Sequence, residues 1–139
     1  MIKRIFEIIL ILVLSVASIF GAVSKTAELS GGVYAYMDGD MLLNRFAFSL
    51  GINTENETFW YCESIYSSYI GNGQYTVEKG ILKIIESRPG IDGEHQVVNL
   101  FKIEKDALVF IAEGSDNFTY VHLPDGATFH LIKPEQIVY

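Results

Sequence analysis

His95-Gln96-Val97-Val98-Asn99-Leu100-Phe101-Lys102-Ile103-Glu104, followed across Lys105-Asp106 by Ala107-Leu108-Val109-Phe110-Ile111-Ala112-Glu113, decides the fold class. Val97, Phe101 and Ile103 fall on one parity of the first run, and Leu108, Phe110 and Ala112 on the matching parity of the second. A period of two is the signature of a strand with one face buried. Two such runs joined by two polar residues read as an antiparallel hairpin. Working back towards the N-terminus, Gln74 to Glu78 and Ile81 to Glu86 form a second hairpin around Lys79-Gly80, and Arg88-Pro89-Gly90 with Asp92-Gly93 read as a loop. Thr58 to Glu63 is a further strand, with Phe59 and Tyr61 on one face and Trp60 and Cys62 on the other; Gly51 to Glu57 before it reads as a polar loop. Asp38-Gly39 separates Val33 to Met37 from Met41 to Leu50, a dipeptide suited to a tight hairpin. Downstream, Phe118 to Leu123 and Ala127 to Ile132 read as short strands around Pro124-Asp125-Gly126.

About eight short strands, with no helical stretch long enough for a crossover between them, predict a small all-β domain, an antiparallel barrel or sandwich. Half of the 139 residues are apolar and 13% are aromatic, so the chain can fill one core, and its length suits one domain. The aromatics either pack that core or line a cavity mouth. The single cysteine, Cys62, excludes an intramolecular disulfide and reads as a small buried hydrophobe.

The N-terminus reads as an address. Lys3 and Arg4 precede an apolar run from Ile8 to Val23 that breaks into small residues, the order of an export signal. Residues 1–24 are therefore a signal peptide, with Lys25 as a new N-terminus, or an uncleaved membrane-anchoring helix. Residues 25–139 are then a single extracytoplasmic domain, secreted or tethered. No cysteine stands just after the apolar run, Cys62 lying far downstream, which excludes a lipoprotein. The net charge of −7, without a basic stripe, argues against nucleic acid as a partner. The same acidity discourages contact with anionic lipid, and membrane contact is expected only through residues 1–24.

Chemical motifs are sparse. His122 and His130 flank one turn and, with Asp125 or Glu135, have the residue types of a zinc set, but no paired ligand motif accompanies them. Asp38-Gly39-Asp40 opens like a calcium loop and is broken by Met41 to Leu43. Ser115-Asp116-Asn117 spells one motif of the penicillin-recognising enzymes, without the Ser-x-x-Lys and Lys-Thr-Gly that such chemistry needs. No catalytic residue, metal site or cofactor is expected from these residues.

The segments Phe59 to Ile70, Gly73-Gln74-Tyr75, Gly80 to Ile84, Phe101 to Glu104, Ala107 to Phe110 and Leu123 to Phe129 form a pattern across residues 57 to 130. That pattern resembles small exported domains of clostridial-type bacteria, and the extracytoplasmic C-terminal region of BlaR-type membrane metallopeptidases. The resemblance implies a lipocalin-like barrel serving as an accessory or sensor-like domain, and lends no site residues. The expected function is a non-catalytic binding module at the cell envelope for an apolar or amphipathic small molecule or an envelope protein. Trp60, Tyr66, Tyr69 and Tyr75 are the candidate ligand-binding residues. The rival expectation is a structural or protein-interaction domain with a filled core and no small-molecule pocket.

Overall fold

The computed structural model describes residues 26–36, 48–64 and 68–133. Eight strands follow in chain order: β1 (Gly32–Ala35), β2 (Ser49–Asn53), β3 (Thr58–Cys62), β4 (Gly71–Glu78), β5 (Ile81–Gly90), β6 (Gly93–Glu104), β7 (Ala107–Ile111) and β8 (Thr128–Leu131). Each is antiparallel to its sequence neighbour, and β8 closes on β1 through Tyr34↔Leu131 and Ala35↔His130, giving a closed eight-stranded barrel. Closure leaves no unpaired sheet edge between β1 and β8. The apolar N-terminal segment, the Asp38-Gly39 turn and Tyr66 lie outside the described residues.

The two ends of the barrel differ. At the near end the turns are short: residues 54–57, 79–80 and 105–106. Lys79 and Gly80 both take positive φ, 52° and 75°, the backbone of a two-residue hairpin whose twist matches its strands. At the far end lie the longer connections 63–70 and 112–127, and the tip of the β5–β6 hairpin.

The hairpin that decided the fold class is present in register, Phe101↔Phe110 and Ile103↔Leu108. Ala112, read as inward, lies beyond the end of β7 and is exposed. Three other expectations are corrected. The Arg88-Pro89-Gly90 and Asp92-Gly93 loop is strand, since β5 and β6 stay paired to Gly90↔Gly93 and turn on Ile91-Asp92 alone. Beyond Ile85, β5 is paired with β6 but not with β4, and a proline is tolerated on such an edge. Gly51 to Asn53 belong to β2, leaving a loop of only four residues. Phe118 to Leu123 is not a strand; Phe118 and Leu123 turn into the barrel mouth, and the N–H groups of Phe118, Tyr120, Val121 and Leu123 go to side chains.

The barrel is filled. Phe48 packs against Tyr61, Phe118 and Phe129, and Phe129 continues to Phe101, which meets Phe110. Leu50, Leu82, Ile84 and Leu108 fill the spaces between these rings. Each aromatic of β3 lies across a glycine on a neighbouring strand: Phe59↔Gly73, Tyr61↔Gly71 and Trp60↔Gly51. At Gly73 a Cβ would fall 2.1 Å from the carbonyl oxygen of Ile85, a backbone atom with nowhere to move. Gly73→Ala is therefore expected to destabilise the barrel by about 1–3 kcal/mol, read as a lower urea midpoint at unchanged m-value.

Candidate functional site

On β5, Leu82, Ile84 and Glu86 alternate inward, so strand parity places a carboxylate among core apolar residues. Burying that charge is costly unless it is paired and hydrogen-bonded. Glu86 is 4% exposed and well supplied with donors. Tyr61 donates its hydroxyl to Oε2 at 2.6 Å, Tyr69 donates to Oε1, and Arg88 Nη2 donates to Oε2 at 3.0 Å. Arg88 Nη2 also donates to the Tyr61 hydroxyl at 2.8 Å, and its Nη1 to Thr119 Oγ1 at 3.1 Å. The guanidinium carbon sits 6.0 Å from the centre of the Tyr69 ring.

The cluster therefore clasps three far-end segments: Tyr69 from the β3–β4 connection, Arg88 from the β5–β6 hairpin and Thr119 from the β7–β8 connection. Its charges are fixed at neutral pH. Burial alone would raise the Glu86 carboxyl, but the hydrogen bonds from Arg88, Tyr61 and Tyr69 outweigh it and hold the group below the ordinary value. Burial, then the bond to Glu86, raises the Tyr61 hydroxyl, and the same bond, then burial, raises Tyr69. Burial opposes the Arg88 charge, yet its bonds to Glu86 and Tyr61 hold the guanidinium charged. Both tyrosines remain donors and the carboxylate remains an acceptor. This arrangement locks side chains in place; it offers no group ready to gain or lose a proton near neutrality.

A folded-state carboxyl held below its ordinary value stabilises the fold above the unfolded pKa, and that stability is lost as pH falls through the lower, folded value. The stability advantage of the native protein over Glu86→Gln is thus expected to be constant near neutrality and to shrink as pH drops below about 4.5, the ordinary carboxyl value. Urea titrations of both proteins between pH 7 and pH 3 check this.

The connection after β7 is held down by its own polar side chains. Where β7 stops at Ile111, Leu100 N–H donates to Ser115 Oγ at 2.9 Å and Val98 N–H to Asp116 Oδ2 at 2.7 Å. The β6 donors thus keep partners that a strand would otherwise supply. Buried Asn99 accepts from Asn117 N–H at 2.8 Å, and Asn117 Oδ1 in turn accepts from the N–H groups of Phe118 and Leu123, both at 2.9 Å. Glu63 Oε1, buried below, accepts from the N–H groups of Tyr120 and Val121 at 2.8 and 2.9 Å. This lid seats Phe118 and Leu123 in the core and leaves Tyr120 outside, 73% exposed.

The sequence candidates are scattered. Tyr69 joins the clasp and is 43% exposed. Trp60 points outward from the barrel wall, and Tyr75 is buried on β4, bordering a shallow groove with Leu29, Thr54 and Val77 at the near end. Tyr66 lies outside the described residues. His122 stands in the far-end lid, whereas His130 stands on β8 opposite Ala107 near the other end, so the two do not face each other across a hairpin. Among the described residues no group of three His, Cys, Asp or Glu could hold a metal ion. Glu86, Arg88, Glu63 and Asn99 are the site residues that motif reading passes over, whereas Asn117, met there as part of Ser115-Asp116-Asn117, serves to hold the lid.

Compared with known proteins, the chain matches no family model, no curated protein and no solved structure. A functional reading therefore rests on the residues of this chain.

Proposed function

We propose that this chain is an exported, non-catalytic binding domain of the cell envelope that meets a protein partner on the far-end rim of a filled, lipocalin-like barrel. Residues 1–24 serve as its signal or anchor. A sensor-like role rests on the resemblance of residues 57 to 130 to BlaR-type regions. The observation that carries the binding reading is the rim itself, where Tyr69, Ile70 and Tyr120 expose 43%, 57% and 73% of their surfaces beside Arg88. Tyrosine and arginine are enriched at the centres of protein interfaces. The Glu86 clasp holds Tyr69 and Arg88 in place beforehand, which lowers the ordering cost of association. The ring-packed interior supports an external site over an enclosed one.

A photo-cross-linking residue at position 120, with position 77 on the near-end wall as control, tests this in the intact envelope. A discrete cross-linked product from 120 and none from 77 is expected. No product from 120, or equal products from both, overturns the rim assignment. Native mass spectrometry of protein taken gently from the envelope supplies a second readout: a bare polypeptide mass is expected, and a retained apolar molecule would show the interior to be the site instead.

A further inference from the structure

The outer wall of the barrel carries a second feature, on the face opposite to the one Tyr61 of the clasp occupies. Trp60 points outward from β3 and is 40% exposed. Its neighbour on β2 is Gly51, where a Cβ would lie only 2.0 Å from the indole Nε1. The indole therefore lies flat across the β2 backbone. A groove of about 570 Å³ runs beside it, lined by Gly31, Gly32 and Gly51 as well as Trp60.

Towards β4 and in the row beyond it, the neighbours of the ring are polar and uncharged. Register places Asn72 directly opposite Trp60 on β4, and sets Asn53, Thr58 and Gln74 side by side in the next row on the same face. In a chain with 17 acidic and 10 basic residues, that neutrality selects against ionic ligands. Glu55, at the end of the groove, is the one charged residue lining it. An added peptide strand is also excluded, because β2 and β3 are each paired on both sides and β-augmentation needs an open edge.

We propose that this wall is a platform for a neutral glycan chain, with a pyranose ring stacked on Trp60 and its hydroxyls met by Asn72, Gln74 and Asn53. A pyranose presents a face of C–H groups bordered by hydroxyls. An aromatic plane matches the face. Side-chain amides, each able to donate and accept, match the border. The platform is independent of the rim assignment, and neither stands or falls with the other.

Trp60 is the only tryptophan, so tryptophan emission reports on this surface alone. Titration of the full chain with cellotetraose, chitotetraose and maltotetraose is expected to give a saturable shift of that emission with at least one of them. By calorimetry, Asn72→Ala and Gln74→Ala are each expected to weaken that binding about three- to tenfold, the loss of one net hydrogen bond. Trp60→Ala should abolish it. The two polar variants alter exposed side chains and keep the test meaningful if Trp60→Ala disturbs folding. No saturable shift with any of the three tetrasaccharides, or unchanged affinity in both polar variants, overturns the proposal.

Discussion

Truncating Phe118 to alanine is expected to lower the unfolding free energy by about 3–5 kcal/mol, the usual range for a buried phenylalanine. The residue lies in an irregular segment, where a large effect would not ordinarily be sought. Yet it is 6% exposed and sits edge-on to Phe48 at 4.5 Å and to Tyr61 at 4.9 Å between ring centres. Losing the ring removes apolar burial and leaves a cavity at the barrel mouth that rigid strands cannot collapse around. Domains of this size are stable by about 5–15 kcal/mol in total, so the loss is a large share of the whole. Urea unfolding measures it. Hydrogen exchange adds a local test: the amides of Val98 and Leu100, bonded to Asp116 and Ser115 of the same connection, should exchange faster in the variant. A cost under about 1 kcal/mol, in the range of surface substitutions, would show that the segment merely covers the barrel.

Glu86→Leu is expected to cost a similar amount, about 3–5 kcal/mol, for a different reason. The substitution removes the acceptor shared by Tyr61, Tyr69 and Arg88 and leaves a guanidinium without its carboxylate. The Arg88 side chain is 23% exposed, so water offsets part of that penalty and the lower end of the range applies. Replacing the pair together, Glu86→Leu with Arg88→Met, is expected to recover much of the loss, because no buried charge then remains unpaired. A double-mutant cycle separates the possibilities. If the double variant is as unstable as the sum of the single ones, the two side chains act independently and the clasp is not an energetic unit.

Much of the barrel was legible because strand burial writes itself as alternation. β6 and β7 show it most clearly, with Phe101 and Ile103 facing Phe110 and Leu108. Phe118 to Leu123 misled for a physical reason: aromatic and β-branched residues suit a lid seated in a core as well as they suit a strand, and composition cannot tell where the backbone donors go. Pro89 misled in the opposite direction, since a proline ends central strands but is tolerated on an edge. Glu86 was legible in principle. It continues the inward parity of Leu82 and Ile84, and a carboxylate on that parity signals a buried partner. The identity of that partner was not legible, because Tyr61 and Tyr69 are 25 and 17 residues away along the chain. Ser115-Asp116-Asn117, read as a motif without its companions, owes its place to β6, whose donors and buried Asn99 it engages.

The pairing of β1 with β8 has an architectural consequence. The described chain enters the barrel at Gly32 and leaves it beyond Leu131 on adjacent strands, both at the near end, roughly one strand spacing of 5 Å apart. Entry and exit therefore form a single stem. The barrel can be carried on such a stem by one tether or spliced into a surface loop of a host protein, with its mouth held outward in either arrangement. A circular permutant that joins Leu131 to Gly32 by a short linker and opens the chain at Ile91-Asp92 keeps every strand neighbour in place.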